Sequence, residues 1–279
     1  MREFFVCLLV MLCIAFGFNW QPRLEHYNLP FIFDVARQAV PGASFERKFG
    51  SIDVLKADEP TDVWQYGETI GAEKYTWSAD GVADIDRVSS DSALDVSSVR
   101  ITGLDVEGYQ VVQDLTLTGQ TPVALTTPLW RVNRVENNGS ANYAGNIYVF
   151  VNNAVTGGEP NDPTSVRGYI ELGDNQTLQS VYTVPKGKIA YVLGSEISLT
   201  KDGGVTAASV RLKTKLRAYG GVFKTKYNYS ISSSGTSRST HNPPMWIPVP
   251  ELTDIEPGVI ATADNLGVSY AYTVLLINE

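Results

Sequence analysis

V-R-I-T-G-L-D-V-E-G-Y-Q-V-V-Q-D-L-T-L-T-G, residues Val99 to Gly119, decides the fold class. Two alternating runs are joined by Leu104-Asp105-Val106-Glu107-Gly108-Tyr109, a polar connection with its glycine near the end. In the second run Val111, Leu115 and Leu117 fall on one parity, and Val112, Asp114, Thr116 and Thr118 on the other. Side chains alternate across a strand, so this period of two, bounded by Gly103 and Gly119, predicts a half-buried β-hairpin.

The same grammar runs from Tyr75 to Ile277. Short runs rich in Val, Ile, Tyr and Thr are punctuated by Asn137-Asn138-Gly139, Thr156-Gly157-Gly158, Lys186-Gly187, Lys201-Asp202-Gly203-Gly204 and Tyr219-Gly220-Gly221. No sustained helical period interrupts them, which predicts a sandwich or barrel. Ile147-Tyr148-Val149-Phe150-Val151 is apolar on both faces, as a strand buried between layers or against another subunit would be. The expected fold is therefore all-β, a jelly-roll-like antiparallel β-sandwich, with an extended N-terminal arm.

Three segments are expected. Residues 1–18 form an apolar N-terminal segment, since Phe4 to Phe18 carries no charge. It is short for a membrane span and reads as a targeting segment or a buried arm. Residues 19–74 read as an extended aromatic-rich arm, divided by Pro22, Pro30 and Pro41, with about two helical turns over Phe31–Val40 stopped by Pro41-Gly42. Its Phe31, Phe33, Phe45, Phe49, Trp64 and Tyr66 are the candidate partner-binding residues. Residues 75–279 form the sandwich, and the Gly/Pro-rich loop 153–165 is the one place for a sub-boundary.

Composition narrows the function. The chain of 279 residues is 43% hydrophobic and 19% charged, with 24 Gly and 14 Pro, which suits a turn-rich globular β protein rather than a disordered one. A net charge of −8 disfavours whole-surface attraction to nucleic acid. Cys7 and Cys13 both lie in the apolar segment and the only histidines are His26 and His241, so thiolate metal sites and serine or cysteine triads are short of parts. No catalytic residue, metal site or cofactor is expected, and the reading is of a protein that is not an enzyme.

Val210-Arg211-Leu212-Lys213-Thr214-Lys215-Leu216-Arg217 is the sharpest charged pattern, and Lys224 and Lys226 follow after a Gly220-Gly221 turn. Arg211, Lys213, Lys215, Arg217, Lys224 and Lys226 thus form a candidate anion-facing strip on one hairpin face. The competing reading is a solvated face whose lysines discourage edge pairing. Phe223, Tyr227 and Tyr229 lie on the parity opposite those lysines, which points away from single-stranded nucleic acid and toward protein or water. Asp80, Asp84, Asp86, Asp91 and Asp95 read as solvated loop carboxylates, with D-x-D a weak hint of calcium. Sequons at Asn138, Asn175 and Asn228 matter only in a eukaryotic secretory pathway. Trp64, Trp77, Trp130 and Trp246 could stack on sugars but more often fill cores.

Several pieces together resemble tailed-phage virion structural proteins of the marine-phage type. They are Asp62–Gly67, Tyr75–Trp77, Val99–Tyr109, Asp114–Val123, Trp130–Val135, Ala144–Val149 and Pro248–Ile255. The likeness spans residues 43 to 279. The apolar Phe4–Phe18 and the acidic text after Trp77 depart from the pattern. The resemblance implies a capsid-associated, decoration or head–tail component in the virion, present in multiple copies. Its partners would be other virion proteins such as the major capsid protein and further copies of itself, with a trimer favoured. The alternative is a receptor- or glycan-binding sandwich on a phage fibre or cell surface.

Overall fold

The computed structural model describes residues 31–201, 208–233, 237–241 and 248–279. The apolar Phe4–Phe18, both cysteines, His26 and Trp246 lie outside the described residues. Two compact units divide the chain, 1–41 and 42–279. In the first, α1 (Phe31–Ala36) is a short helix closed by Gln38 at φ 60° and by an Asp34–Arg37 ion pair at 2.8 Å. Phe31 and Phe33 are 49% and 57% exposed.

The second unit is all strand and turn. It begins with β1 (Ala43–Leu55) and the short β2 (Thr61–Asp62). Then come β3 (Ile85–Ser90), β4 (Ser98–Leu104), β5 (Gln110–Thr116), β6 (Val123–Leu129), β7 (Arg131–Asn137), β8 (Ile147–Val151), the small pair β9 (Val155–Thr156) and β10 (Glu159–Pro160), and β11 (Val166–Ile170). The chain closes with β12 (Tyr182–Thr183), β13 (Lys188–Lys201), β14 (Ala208–Arg217), β15 (Lys224–Ser233), β16 (Ser237–His241), β17 (Pro248–Val249), β18 (Asp254–Ala261) and β19 (Leu266–Asn278).

Two sheets, β1-β19-β13-β16 and β12-β18-β14-β15, enclose one core. Leaving aside β2 and β17, which pair with β18 and β13 off the main strand order, eight strands make this sandwich. Counted along the chain they run first-eighth-third-sixth in one sheet and second-seventh-fourth-fifth in the other. That interleaving is the jelly roll, in which no long strand pairs with its sequence neighbour except β14 with β15. The all-β antiparallel sandwich expected from the sequence is present.

The connection between β1 and β12 holds a second sandwich. Sheets β11-β8-β3-β6 and β5-β4-β7 close over Ile85, Val88, Val99, Ile101, Leu129, Val135, Ile147 and Val149. The hairpin read from residues 99–119 is β4 paired with β5, Ser98 opposite Thr116 and Leu104 opposite Gln110. Its buried and exposed residues alternate as expected, with Gly108 and Gly119 at positive φ where the turns require it.

Two segment expectations change. Residues 43–55, assigned to the arm, form β1, antiparallel to β19 from Ala43 opposite Ile277 to Leu55 opposite Leu266. The mixture F-E-R-K-F-G-S-I, which looked irregular, is an edge strand with charges in its middle. Residues 153–165 separate no domains and instead carry the β9–β10 pair within the inserted sandwich. The boundaries fall on the outgoing crossing, residues 56–84, and the return crossing, residues 171–181.

Candidate functional site at the junction of the two sandwiches

The outgoing crossing lies over the outer side of β8. Trp64, Tyr66, Ala72 and Tyr75 pack with Tyr148, Phe150, Val166 and Val181 as a third core. Trp64 sits edge-on to Tyr66 and Tyr75 with ring centroids 5.5 and 5.0 Å apart. This explains why β8 is apolar on both faces: Ile147 and Val149 fill the inserted core, while Tyr148 and Phe150 meet the crossing. The buried neighbours belong to the same chain.

The return crossing runs along the free edge of β7. The amide of Thr177 donates to the Val135 carbonyl, and Asn137 donates to Asn175. Gln179 donates from its side chain to Val132 and bridges both Phe49 and Trp64. Asn133 exchanges two hydrogen bonds of 3.0 Å with the backbone of Thr183 on β12. Gly50 allows β1 to join this contact, because a Cβ there would lie 2.4 Å from the Val63 carbonyl and 2.7 Å from the Ser180 amide.

Charges fix the junction. Asp254, 2% exposed, accepts from Arg131 Nε at 3.0 Å and Nη2 at 3.2 Å, from Arg217 Nε at 2.9 Å and Nη2 at 2.5 Å, and from the Thr183 hydroxyl at 2.5 Å. Asp80 adds contacts to Arg131 at 3.2 Å and Arg217 at 3.5 Å. Glu256 accepts from Lys215 at 2.5 Å and from the Trp77 indole at 2.7 Å, and Asp62 accepts from Lys74 at 2.8 Å. The Arg131 guanidinium lies 4.1 Å from the centre of Trp130 and 5.1 Å from that of Trp77. Four carboxylates thus meet four cations with none in excess: Arg131 comes from the inserted sandwich, Asp62, Lys74 and Asp80 from β2 and the crossing, and the rest from the jelly roll. A buried charge left without a partner is expensive, so this set tolerates one relative placement of the sandwiches. Burial and the nearby Glu256 hold the Asp62 carboxyl up at about 6, against the opposing pull of Lys74.

Lys48 stands outside this pairing. It is 2% exposed, and its ammonium nitrogen donates to the Asn133 carbonyl, with the Tyr182 ring 5.8 Å away. Burial draws its pKa down from 10.5 to about 7; Glu46 pulls the other way and Arg134 adds to the lowering. Glu46 is engaged by Arg134 of β7 at 2.6 Å.

The candidate residues from the sequence separate accordingly. Phe31 and Phe33 are exposed on α1, and Phe45 and Phe49 are half-buried on β1, on the parity that faces away from the jelly-roll core. Trp64 and Tyr66, expected to touch a partner, are 1% and 3% exposed within their own chain and have no surface to offer one. The basic strip also resolves into parts. Arg217 and Lys215 face the chain's own Asp254 and Glu256, which lie opposite them in register on β18. Arg211 is exposed and Lys213 half-buried on the same face. Lys224 and Lys226 do not join it, because a bulge shifts the pairing from Thr214–Tyr227 to Lys215–Thr225 and sets Lys224 opposite Leu216. Both lysines are exposed on β15, an edge strand, where they oppose strand addition.

Three members of the acidic run are spent locally. Asp91 accepts from Asn146, Asp95 from Ser90 and the amides of Ala144 and Gly145, and Asp86 from Arg87. Sequence reasoning missed Lys48, Arg131, Asn133, Gln179 and Asp254. Arg131 and Asn133 had a visible signal: in W-R-V-N-R-V they share the parity of the buried Val135. Asp254 sat inside a quoted motif with nothing to mark its partner.

No family model matches the chain, and no curated protein matches it. Among solved structures it is similar to the capsid protein VP2 of infectious bursal disease virus in a subviral particle, at 11% identity and TM-score 0.24, covering 90% of this chain and 78% of that one. The Gt strain of the same virus gives 10% identity and TM-score 0.23 over the same shares.

Proposed function

We propose that the chain is a non-enzymatic virion structural protein, a capsid-associated, decoration or head–tail component of a tailed phage. Jelly rolls serve capsids, lectins and cupins alike, so the fold alone does not choose among them. The observation that carries the reading is the charge-neutral junction. It converts an inserted sandwich, which a simple linker would leave free to swing, into a fixed projection on the jelly roll. A subunit that must present one surface to its neighbours at every copy needs that rigidity. Two of the tryptophans a glycan-binding module could display are instead used inside: Trp64 and Trp130 are each 1% exposed.

Assembly would run through the N-terminal segment and the outer faces of the sheets, with other virion proteins such as the major capsid protein and with further copies of the chain, a trimer favoured. Phe31 and Phe33 on α1 and Phe45 and Phe49 on β1 are among the apolar contacts available for it. The test is the full-length chain with Phe31→Ser and Phe33→Ser, co-expressed with the structural proteins of its virion. Loss of incorporation into particles by electron microscopy, with an unchanged circular dichroism spectrum, is expected. Incorporation at wild-type occupancy would overturn the proposed role of the segment, and absence of the wild-type chain from particles would overturn the function.

A further inference from the structure

We infer that the outer face of β1-β19-β13 is a self-association surface, on which two copies of the chain stack about a two-fold axis running along β19. The contact rests on the reading that copies meet through outer sheet faces, and it fixes the face, the residues and the symmetry. The outer face of the other jelly-roll sheet is engaged within the chain, where Arg131 and Trp77 meet Asp254 and Glu256. On the sheet of β1 the pairing sets outward residues in rows. Ala43, Ile277 and Ile189 form one, and Phe45, Leu275 and Tyr191 the next, with Pro248 beyond. Arg47, Thr273 and Gly194 follow, then Phe49, Ala271 and Glu196. The first two rows are apolar throughout and lie outside the three cores of the chain.

The face is complementary to itself. A half-turn about β19 keeps the strand direction and lays β1 of one copy over β13 of the other, so equal rows meet. Ala43 then faces Ile189, Phe45 faces Tyr191, and Arg47 faces Gly194, which has no side chain to oppose it. Arg47 is exposed and has no carboxylate within 4 Å among the described residues. Glu196 lies one row on and holds Arg238 of its own chain, so its carboxylate would stand between that arginine and the arriving Arg47. A groove of about 410 Å³ bounded by Arg47, Leu193, Gly194, Glu196, Thr240 and Thr273 gives the incoming side chain its space. Every such pair occurs twice in a two-fold contact. Stacked sheets keep their strands within about 30° of each other, which holds the rows in register near the axis. Strands of 13, 13 and 14 residues spaced about 4.8 Å apart present about 600 Å² per copy, so the stacked pair buries about 1,200 Å², the size at which specific interfaces begin. Ser51, Ser269 and Ser198 form a polar margin beyond the charged rows.

Sedimentation velocity of the full-length chain should show a concentration-dependent monomer–dimer equilibrium. Arg47→Glu and Glu196→Arg should each weaken dimerisation at least tenfold with an unchanged circular dichroism spectrum. Mixed in equal amounts, the two variants should dimerise again, because both cross-contacts of the mixed pair then join opposite charges. Tyr191→Ser should weaken the dimer as the charge reversals do, while Phe31→Ser with Phe33→Ser should leave it intact. A wild type that stays monomeric at high micromolar concentration, or that forms trimers with no dimer, would overturn the contact. So would an Arg47→Glu chain that dimerises as tightly as wild type, a mixture no tighter than either variant alone, or loss of the dimer with the two α1 substitutions. Particle incorporation is read separately, so a monomeric chain that still enters particles removes this contact and leaves the virion role standing.

Discussion

Lys48→Met isolates the cost of an amine placed between the two sandwiches. The folded value near 7 lies about 3.5 pH units below the ordinary 10.5, and each unit corresponds to about 1.4 kcal/mol. A depressed folded value contributes stability that is complete above the unfolded value and is lost as pH falls through the folded one. Between about pH 7 and pH 9 the unfolded chain holds a proton that the folded chain has released, so wild-type stability should climb by about 2–3 kcal/mol across that window. Lys48→Met removes the titration and should flatten the climb by that amount. It also leaves the Asn133 carbonyl without its donor, a cost of about 1 kcal/mol that does not vary with pH and so moves the level but not the slope. Urea unfolding of both proteins at four pH values across the window, followed by tryptophan fluorescence, measures the two slopes. Parallel wild-type and variant curves would refute a buried, largely neutral lysine.

Three further outcomes are expected. Arg131→Met, which leaves Asp254 with Arg217 and Thr183 and strips the donor from the Ser78 carbonyl, should cost about 3 kcal/mol in urea unfolding and raise protease cleavage in the crossings; an unchanged midpoint would mean the pair is dispensable. Asp62, although paired with Lys74, has the reverse sign to the usual salt-bridged carboxylate because burial and Glu256 outweigh that pair: its raised folded value stabilises below about pH 4 and that gain is lost as pH rises through about 6, so Asp62→Asn should gain stability relative to wild type above pH 6, read by thermal melts at pH 4 and pH 7. Burial raises the phenols of Tyr66 and Tyr75 to about 12 and those of Tyr148, Tyr182, Tyr229 and Tyr272 further, so stability should fall steeply above about pH 10, with the phenolate absorbance of these buried rings at 295 nm appearing as a step that coincides with unfolding.

Local periodicity was legible wherever a strand has one wet face. The β4–β5 hairpin could be read because Val112, Asp114 and Thr116 stay exposed opposite Gln113 and Leu115. The nesting of one sandwich in another could not, because β1 pairs with β19 and nothing near residue 43 announces residue 277. The same separation hid the junction. The charges of β14 alternate so cleanly that they suggest an outward strip, yet half of them answer Asp254 and Glu256, about forty residues away in sequence. The bulge that removes Lys224 and Lys226 from that face is one extra residue with no sequence signature. Trp64 and Tyr66 looked available because no helical or strand pattern surrounded them. What buries them is a 3-10 turn, Gln65–Glu68, laid across a strand more than eighty residues on.

The pairing of β1 with β19 also sets an order of events during synthesis. The inserted sandwich, residues 85–170, makes its sheets from neighbouring sequence and is complete long before the jelly roll can be. Among the described strands β1 is the first long one made and the last to find its partner, since residues 266–278 must leave the ribosome before it can pair. For most of translation it is an unpaired edge thirteen residues long. Glu46, Arg47 and Lys48 interrupt its apolar text through that interval, as gatekeepers do in exposed strands. The lysine that costs the finished protein stability is one of the residues that keep the unfinished chain from pairing with its neighbours.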